Sequence, residues 1–236
     1  MRRPKEIRAA PKEWIEILQV TYPFLREEHS IGDLVLFGSQ ALSIYIKSPL
    51  RSKDLDLLST QVSLRQIEEL SSELSKLENV EFRSTTVQTK LFGVRRLTTH
   101  AIELRIAGKP FFIESFDGLL DGRPTSILTP YLELKKRWKL ELWVPELEAI
   151  LALRLAFRQP EGISRLNAMR LNSFVRENRK LIRYKHLNSI LANWQIEKWV
   201  ETNLIDLYKR NRVRIIDDNK IIPGIENRIK PEKIKQ

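Results

Sequence analysis

Residues 34–58 read LVLFGSQALSIYIKSPLRSKDLDLL, and the changes of period along this stretch decide the fold. Leu34 to Phe37 are an apolar run bounded by Asp33 and Gly38, the pattern of a short buried strand. Gly38 and Ser39 break it. Ala41, Leu42, Tyr45 and Ile46 then recur at helical spacing, which predicts a helix from Ser39 that ends before Pro49. Asp54 to Leu58 read as a second strand, and its period of two sends Asp54 and Asp56 to one face and Leu55 and Leu57 to the other. Adjacent carboxylates repel each other. A divalent cation between them removes the repulsion, and hard oxygen ligands are those that Mg²⁺ takes. Gly38 permits close backbone approach, and free N–H groups at a helix start attract an anion, so metal and phosphate are expected to meet here.

The order of strand, Gly38-Ser39, helix and Asp54-Leu55-Asp56 resembles the signature of the nucleotidyltransferase superfamily that includes DNA polymerase beta. Within it the chain is most similar to the minimal nucleotidyltransferases and the abortive-infection type nucleotidyltransferase toxins. Fourteen residues separate Ser39 from Asp54, slightly more than is usual there, and the extra length falls in the loop 49–53. The resemblance covers the first half of the chain. It implies an α/β (α+β) fold, a mixed nucleotidyltransferase-like sheet flanked by helices and followed by a mainly helical C-terminal domain. It also implies that Gly38, Ser39 and Lys53 hold an NTP, and that Asp54, Asp56 and a third acid from a later strand hold two Mg²⁺, or Mn²⁺.

Glu114 is the candidate third acid. It interrupts the apolar strand Phe111-Phe112-Ile113-Glu114-Ser115-Phe116, where an unpaired carboxylate is costly to bury unless it has a partner. The resemblance places a metal ligand there, usually Asp, with a general base as its second role. Asp117 is the alternative ligand, and an ion pair of Glu114 with Arg105 or Lys109 is the structural account.

Around this centre the pattern predicts an amphipathic helix over 11–28, disturbed at Pro23, and a helix opened by a Ser63/Gln66 capping box with Leu64, Ile67, Leu70, Leu74 and Leu77 on one stripe. Strands are expected over 80–89 and 97–107 about a break at Gly93, a loop over 121–130, and a hairpin over 131–143 about Lys135-Lys136. Pro145 should open a helix with Glu146 and Glu148 in its first turn. That helix resembles one that follows the catalytic sheet in the abortive-infection relatives. Arg154 stands where those relatives carry a lysine and would grip a phosphate with its fork, while Ser164-Arg165 replaces their later Lys-Asp pair.

Charge is divided unevenly. Residues 1–149 hold 22 Lys and Arg against 21 Asp and Glu, and residues 150–236 hold 19 against 9, so nearly all of the net +11 lies in the second part. A near-neutral catalytic part joined to a basic part fits a polyanionic second substrate. On a helix expected over 165–183, Arg176, Arg179, Lys180 and Arg183 oppose an apolar face of Leu171, Phe174, Val175 and Ile182, and Tyr184, Trp194 and Trp199 lie nearby for stacking or for a core. A last helix over 195–212 precedes a basic, partly ordered tail. The expected division is a catalytic domain over 1–144, a basic helical domain over 145–212 and a tail over 213–236.

Composition bounds the rest. At 42% hydrophobic and 30% charged residues, with no apolar run near about 18 residues, the chain is expected to be globular, without a membrane span and cytoplasmic. It has no cysteine, which excludes thiolate nucleophiles and Cys-ligated zinc. His29, His100 and His186 are far apart and are assigned no role. The expected function is transfer of an NMP from an NTP to a hydroxyl acceptor, RNA and in particular a tRNA 3′ end, with a protein acceptor or a cognate antitoxin as other partners. The alternative is a catalytically inactive RNA-binding or partner-binding module of the same fold.

Overall fold

The computed structural model describes residues 8–26, 34–59, 63–92, 95–119, 122–156 and 163–229. The chain divides into two compact units, Met1–Pro145 and Glu146–Gln236. The first is built on a mixed sheet. Strands β1 (Leu34–Leu36), β2 (Asp54–Ser59), β3 (Val80–Phe92), β4 (Arg95–Ile106) and β5 (Lys109–Phe116) lie in the order β1-β2-β5-β4-β3. Only β2 and β5 run parallel; the other neighbours are antiparallel.

Period two sets which face is buried. Leu55 and Leu57 of β2, Phe111 and Ile113 of β5, and Ile102 and Leu104 of β4 are all buried in one core. Helix α1 (Pro11–Arg26) adds Trp14, Ile17, Leu18, Tyr22 and Leu25, and α3 (Leu64–Leu74) adds Ile67, Leu70 and Leu74. Fully burying each large apolar side chain contributes about 1.5–3 kcal/mol, so this face holds the sheet in place. Tyr22 fastens it further. Its hydroxyl donates to Leu34 O at 3.0 Å and accepts from Trp143 N at 2.9 Å. The expected capping box of α3 is present, with Ser63 Oγ accepting from Gln66 N and Gln66 Oε1 from Ser63 N.

A short helix α2 (Gly38–Ile44) links β1 to β2, and all seven of its residues are buried. The helix of 11–28 is described to Arg26 and runs through Pro23; the break expected at Gly93 lies outside the described residues. Three local expectations are corrected. A 3-10 helix, Thr125–Tyr131, stands in the expected loop, flanked by Pro124 and anchored by buried Leu128. Strands β6 (Leu132–Arg137) and β7 (Leu140–Pro145) form the expected hairpin, but the chain turns at Trp138-Lys139, both at positive φ, rather than at Lys135-Lys136. Pro145 closes β7 instead of opening a helix, its side of the ladder needing no donor at the last residue.

The second unit is helical: α4 (Leu147–Ala156), α5 (Arg165–Asn178), α6 (Tyr184–Asn193), α7 (Glu197–Asn211), α8 (Asp218–Ile221) and α9 (Ile225–Ile229). Its core is formed by Leu151, Leu155, Leu171, Phe174, Leu187, Ile190 and Leu204. α5 stops at Asn178, short of Arg183, and Ile182 is buried in the connection to α6. Residues 213–229 are anchored by buried Ile215, Ile221, Ile225 and Ile229. No helix among the described residues is long and apolar enough to cross a membrane.

Candidate functional site

Parallel pairing of β2 and β5 sets Asp56 opposite Glu114, with Asp54 opposite Phe112. All three acids are half-buried on the face away from the apolar core, and each offers a carboxylate oxygen within 4.8 Å of the others. The ends of two strands far apart in sequence thus make one cluster. Burial, and then the neighbouring charge of Asp54, push the Glu114 carboxyl above the usual carboxylate range, while the Lys53 and Lys90 ammoniums pull it back. Three converging carboxylates are a set of hard oxygen donors, the chemistry that a divalent cation of the Mg²⁺ type fits, and these three side chains are the ones that would hold it.

Gly38 makes room for the cluster. Its φ is +60°, and a Cβ there would lie 1.7 Å from Asp56 Oδ2. Phe37 N donates to Asp56 O at 2.9 Å, fixing the start of α2 against β2. Ser39, 4% exposed, shares a hydrogen bond of 2.8 Å with Ser52 Oγ, and Ser52 Oγ donates to Asp54 Oδ1 at 2.9 Å. Gln40 Nε2 donates to Asp54 O, and Gln40 Oε1 is buried with no hydrogen-bond partner. The structure therefore brings Gly38, Ser39, Asp54, Asp56 and Glu114 together, with Lys53 exposed directly before β2.

Contacts bear on two of the other candidates. Asp117 Oδ1 accepts from Thr98 N at 2.7 Å and serves the turn after β5. Lys109 pairs with Glu13 at 2.8 Å, so its ammonium is engaged away from Glu114. Ser52, Gln40 and Lys90 were missed from sequence. For Ser52 a signal existed: it stands two residues before Asp54, so period two aims both toward the same side.

In the second unit Arg154 is half-buried on α4. All four expected cations are exposed, but Arg179 and Arg183 are engaged by acids. Arg179 forms a two-pronged pair with Asp217 at 2.8 and 2.9 Å. Arg183 binds Glu148 at 3.0 Å and Glu146 at 3.1 Å. Glu146, Glu148 and His186 also offer ligand atoms within 4.8 Å of one another, but the Arg183 guanidinium already pairs with both carboxylates, and Glu148 Oε1 accepts from Arg183 N at 2.8 Å at the start of α6. That group is a structural brace. Trp194 is buried, Trp199 is exposed, and Tyr184 donates to Asp217 at 2.8 Å.

No protein-family profile matches the sequence, and no curated protein matches it. Solved structures do match. A protein described as a candidate nucleotidyltransferase from H. pylori aligns over 94% of this chain and 88% of its own, at 10% identity and a TM-score of 0.50. JHP933 from Helicobacter pylori aligns over 93% of this chain and 88% of its own, at 10% identity and a TM-score of 0.51. At such identities the likeness is one of fold, and with the acid cluster at its sheet the chain has the nucleotidyltransferase fold.

Proposed function

We propose that the chain is a divalent-metal-dependent nucleotidyltransferase that moves an NMP from an NTP to a hydroxyl of RNA, such as a tRNA 3′ end, and releases pyrophosphate. The observation that carries this reading is the convergence of Asp54, Asp56 and Glu114 on adjacent parallel strands, beside a glycine that a side chain could not replace. Bound Mg²⁺ or Mn²⁺ would neutralise the triphosphate and lower the pKa of the attacking hydroxyl. Asp54, aimed by Ser52, and Asp56, seated against Gly38, would hold the metal together with Glu114. Ser39 and the backbone at Gly38 would face the phosphates, with Lys53, exposed directly before β2, as a further cationic contact. The acceptor oxygen bonds to the α-phosphorus as the bond from that phosphorus to the β-bridging oxygen breaks. The hydroxyl proton would pass to the Glu114 carboxylate as general base.

The basic second unit supports a polyanionic acceptor. Arg176 and Lys180 would supply the attraction, and Arg179 and Arg183 would join it only by leaving their acids. Incubation with each labelled NTP, Mg²⁺ and total RNA should transfer label to RNA for the wild type and not for Asp56→Ala. Label on protein in a whole lysate would move the acceptor to a polypeptide. No label on any acceptor would remove the transferase reading and favour a binding module.

A further inference from the structure

The face of the sheet that carries the acids continues past them. Asp56 pairs with Glu114, Glu114 with Ala101, and Ala101 with Thr86, so these four side chains form one row on one face across β2, β5, β4 and β3. Neighbouring strands are about 4.8 Å apart, which puts Thr86 about 10 Å from Glu114. Thr99 on β4, and Gln88 and Lys90 on β3, follow at steps of two and stand on the same face. Thr86, Gln88 and Lys90 are exposed, and Ala101 and Thr99 are half-buried. The path from Glu114 to Lys90 runs over the methyl, hydroxyl, amide and ammonium groups of these side chains, beside buried Phe116, which pairs with Thr99, and buried Leu97, which pairs with Lys90.

Charge gives this path a direction. Residues 80–106 hold five Lys and Arg against two Asp and Glu, although the first 149 residues are nearly balanced at 22 against 21. On the site face Glu103, with Ser84 Oγ 3.4 Å from its carboxylate, marks one end and Lys90 the other. A polyanion is drawn to the Lys90 end.

We propose that Thr86, Gln88, Thr99 and Lys90, on the site face of the β3–β4 hairpin, bind the last nucleotides of a single-stranded RNA and lead its 3′ hydroxyl to Asp54, Asp56 and Glu114. The proposal deepens the transferase reading and rests on it for the direction of the strand. Lys90 meets a phosphate. The two threonines and Gln88 hydrogen-bond phosphate or 2′-hydroxyl oxygens, contacts that position a strand without reading its bases.

The test uses the two faces of the hairpin against each other. Arg96 pairs with Leu91 on the reverse face and is exposed, so Lys90→Glu and Arg96→Glu make the same charge change on opposite sides. Binding of a short fluorescein-labelled single-stranded RNA is measured by anisotropy against salt, and binding of a non-hydrolysable NTP with Mg²⁺ by calorimetry. Circular dichroism melts confirm that both variants fold. Lys90→Glu should weaken RNA binding about tenfold or more and lower the salt slope by about one, with Arg96→Glu within about twofold of wild type. Equal losses in both variants would mean diffuse attraction and overturn the platform. Loss of NTP binding with RNA binding intact would assign Lys90 to the nucleotide and also overturn it, leaving the transferase reading in place. Wild type that binds NTP and labels only protein would do the same. Absent NTP binding would remove the transferase reading alone, because the comparison of faces would still decide whether RNA lies on the hairpin.

Discussion

Gly38 and Asp56 occupy the same space: a Cβ on Gly38 would lie 1.7 Å from Asp56 Oδ2 and 2.6 Å from its Cγ. The glycine is also at φ +60°, where an L side chain costs roughly 1–2 kcal/mol. Gly38→Ala should therefore do two separable things. It should destabilise the first unit and displace the Asp56 carboxylate, abolishing Mn²⁺ binding as read by calorimetry. Adding Asp56→Gly should recover part of the stability and none of the metal binding, so the two changes are non-additive. Additive losses of stability would show that the clash is relieved elsewhere.

Ser52 joins the two halves of the site. Its hydroxyl, 1% exposed, donates to Asp54 Oδ1 at 2.9 Å and shares a bond of 2.8 Å with Ser39. Its backbone is bridged to Ala9 on both sides, through Ala9 N to Ser52 O at 2.7 Å and Ser52 N to Ala9 O at 3.2 Å, so the hydroxyl is held from behind. Groups that orient a metal-binding side chain are worth about 10–100-fold in affinity. Ser52→Ala should weaken Mn²⁺ binding at least about tenfold with an unchanged melting curve. Unchanged affinity would reduce Ser52 to a packing residue.

The Glu114 shift has a definite sign. Its folded pKa is raised above the ordinary 4.5 by burial and by Asp54, so ionisation opposes folding. Stability from this group is present below the unfolded pKa and is lost as pH rises through the folded value. With EDTA present, Glu114→Gln should be more stable than wild type at pH 7, by at most about 1 kcal/mol for a half-exposed group. Mg²⁺ should then stabilise the wild type and leave Glu114→Gln unmoved. Urea titrations with and without metal read both, and a Glu114→Gln protein less stable in EDTA would mean that the acid has a structural partner.

Asp54 and Asp56 were legible because a period of two places them on one face whatever surrounds them, and Glu114 because an acid in an apolar strand calls for a partner. That Glu114 stands opposite Asp56 was not legible, since it depends on a parallel pairing across more than fifty intervening residues. The Trp138-Lys139 turn was hidden for a local reason: neither residue type ordinarily takes positive φ, and the hairpin register imposes it. Along the tail, Ile221, Ile225 and Ile229 recur at steps of four, but Pro223 and Gly224 break the run, and the common burial of these residues with Ile215 reveals that this segment packs. The cations of 176–183 looked alike in sequence; the acids that engage two of them lie more than thirty residues away.

That last pairing makes a prediction about both stability and binding. Asp217 holds Arg179 with two bonds and accepts from Tyr184, and these contacts keep its carboxyl down at about 2, against an ordinary 3.8. A lowered folded pKa stabilises above the unfolded value, so the contribution is complete above about pH 4 and is lost as pH falls through about 2. Asp217 has φ +58°, which Asn tolerates, so Asp217→Asn removes charge without straining the backbone. The melting temperature should fall by about 2–4 °C at pH 7, and the difference from wild type should shrink as pH drops below about 3. The same variant releases Arg179 to solvent beside Lys180. Its affinity for single-stranded RNA should rise, with a steeper dependence on salt, because one more cation meets phosphate. A variant that melts early yet binds RNA as the wild type does would place the nucleic acid away from this face of the helical unit.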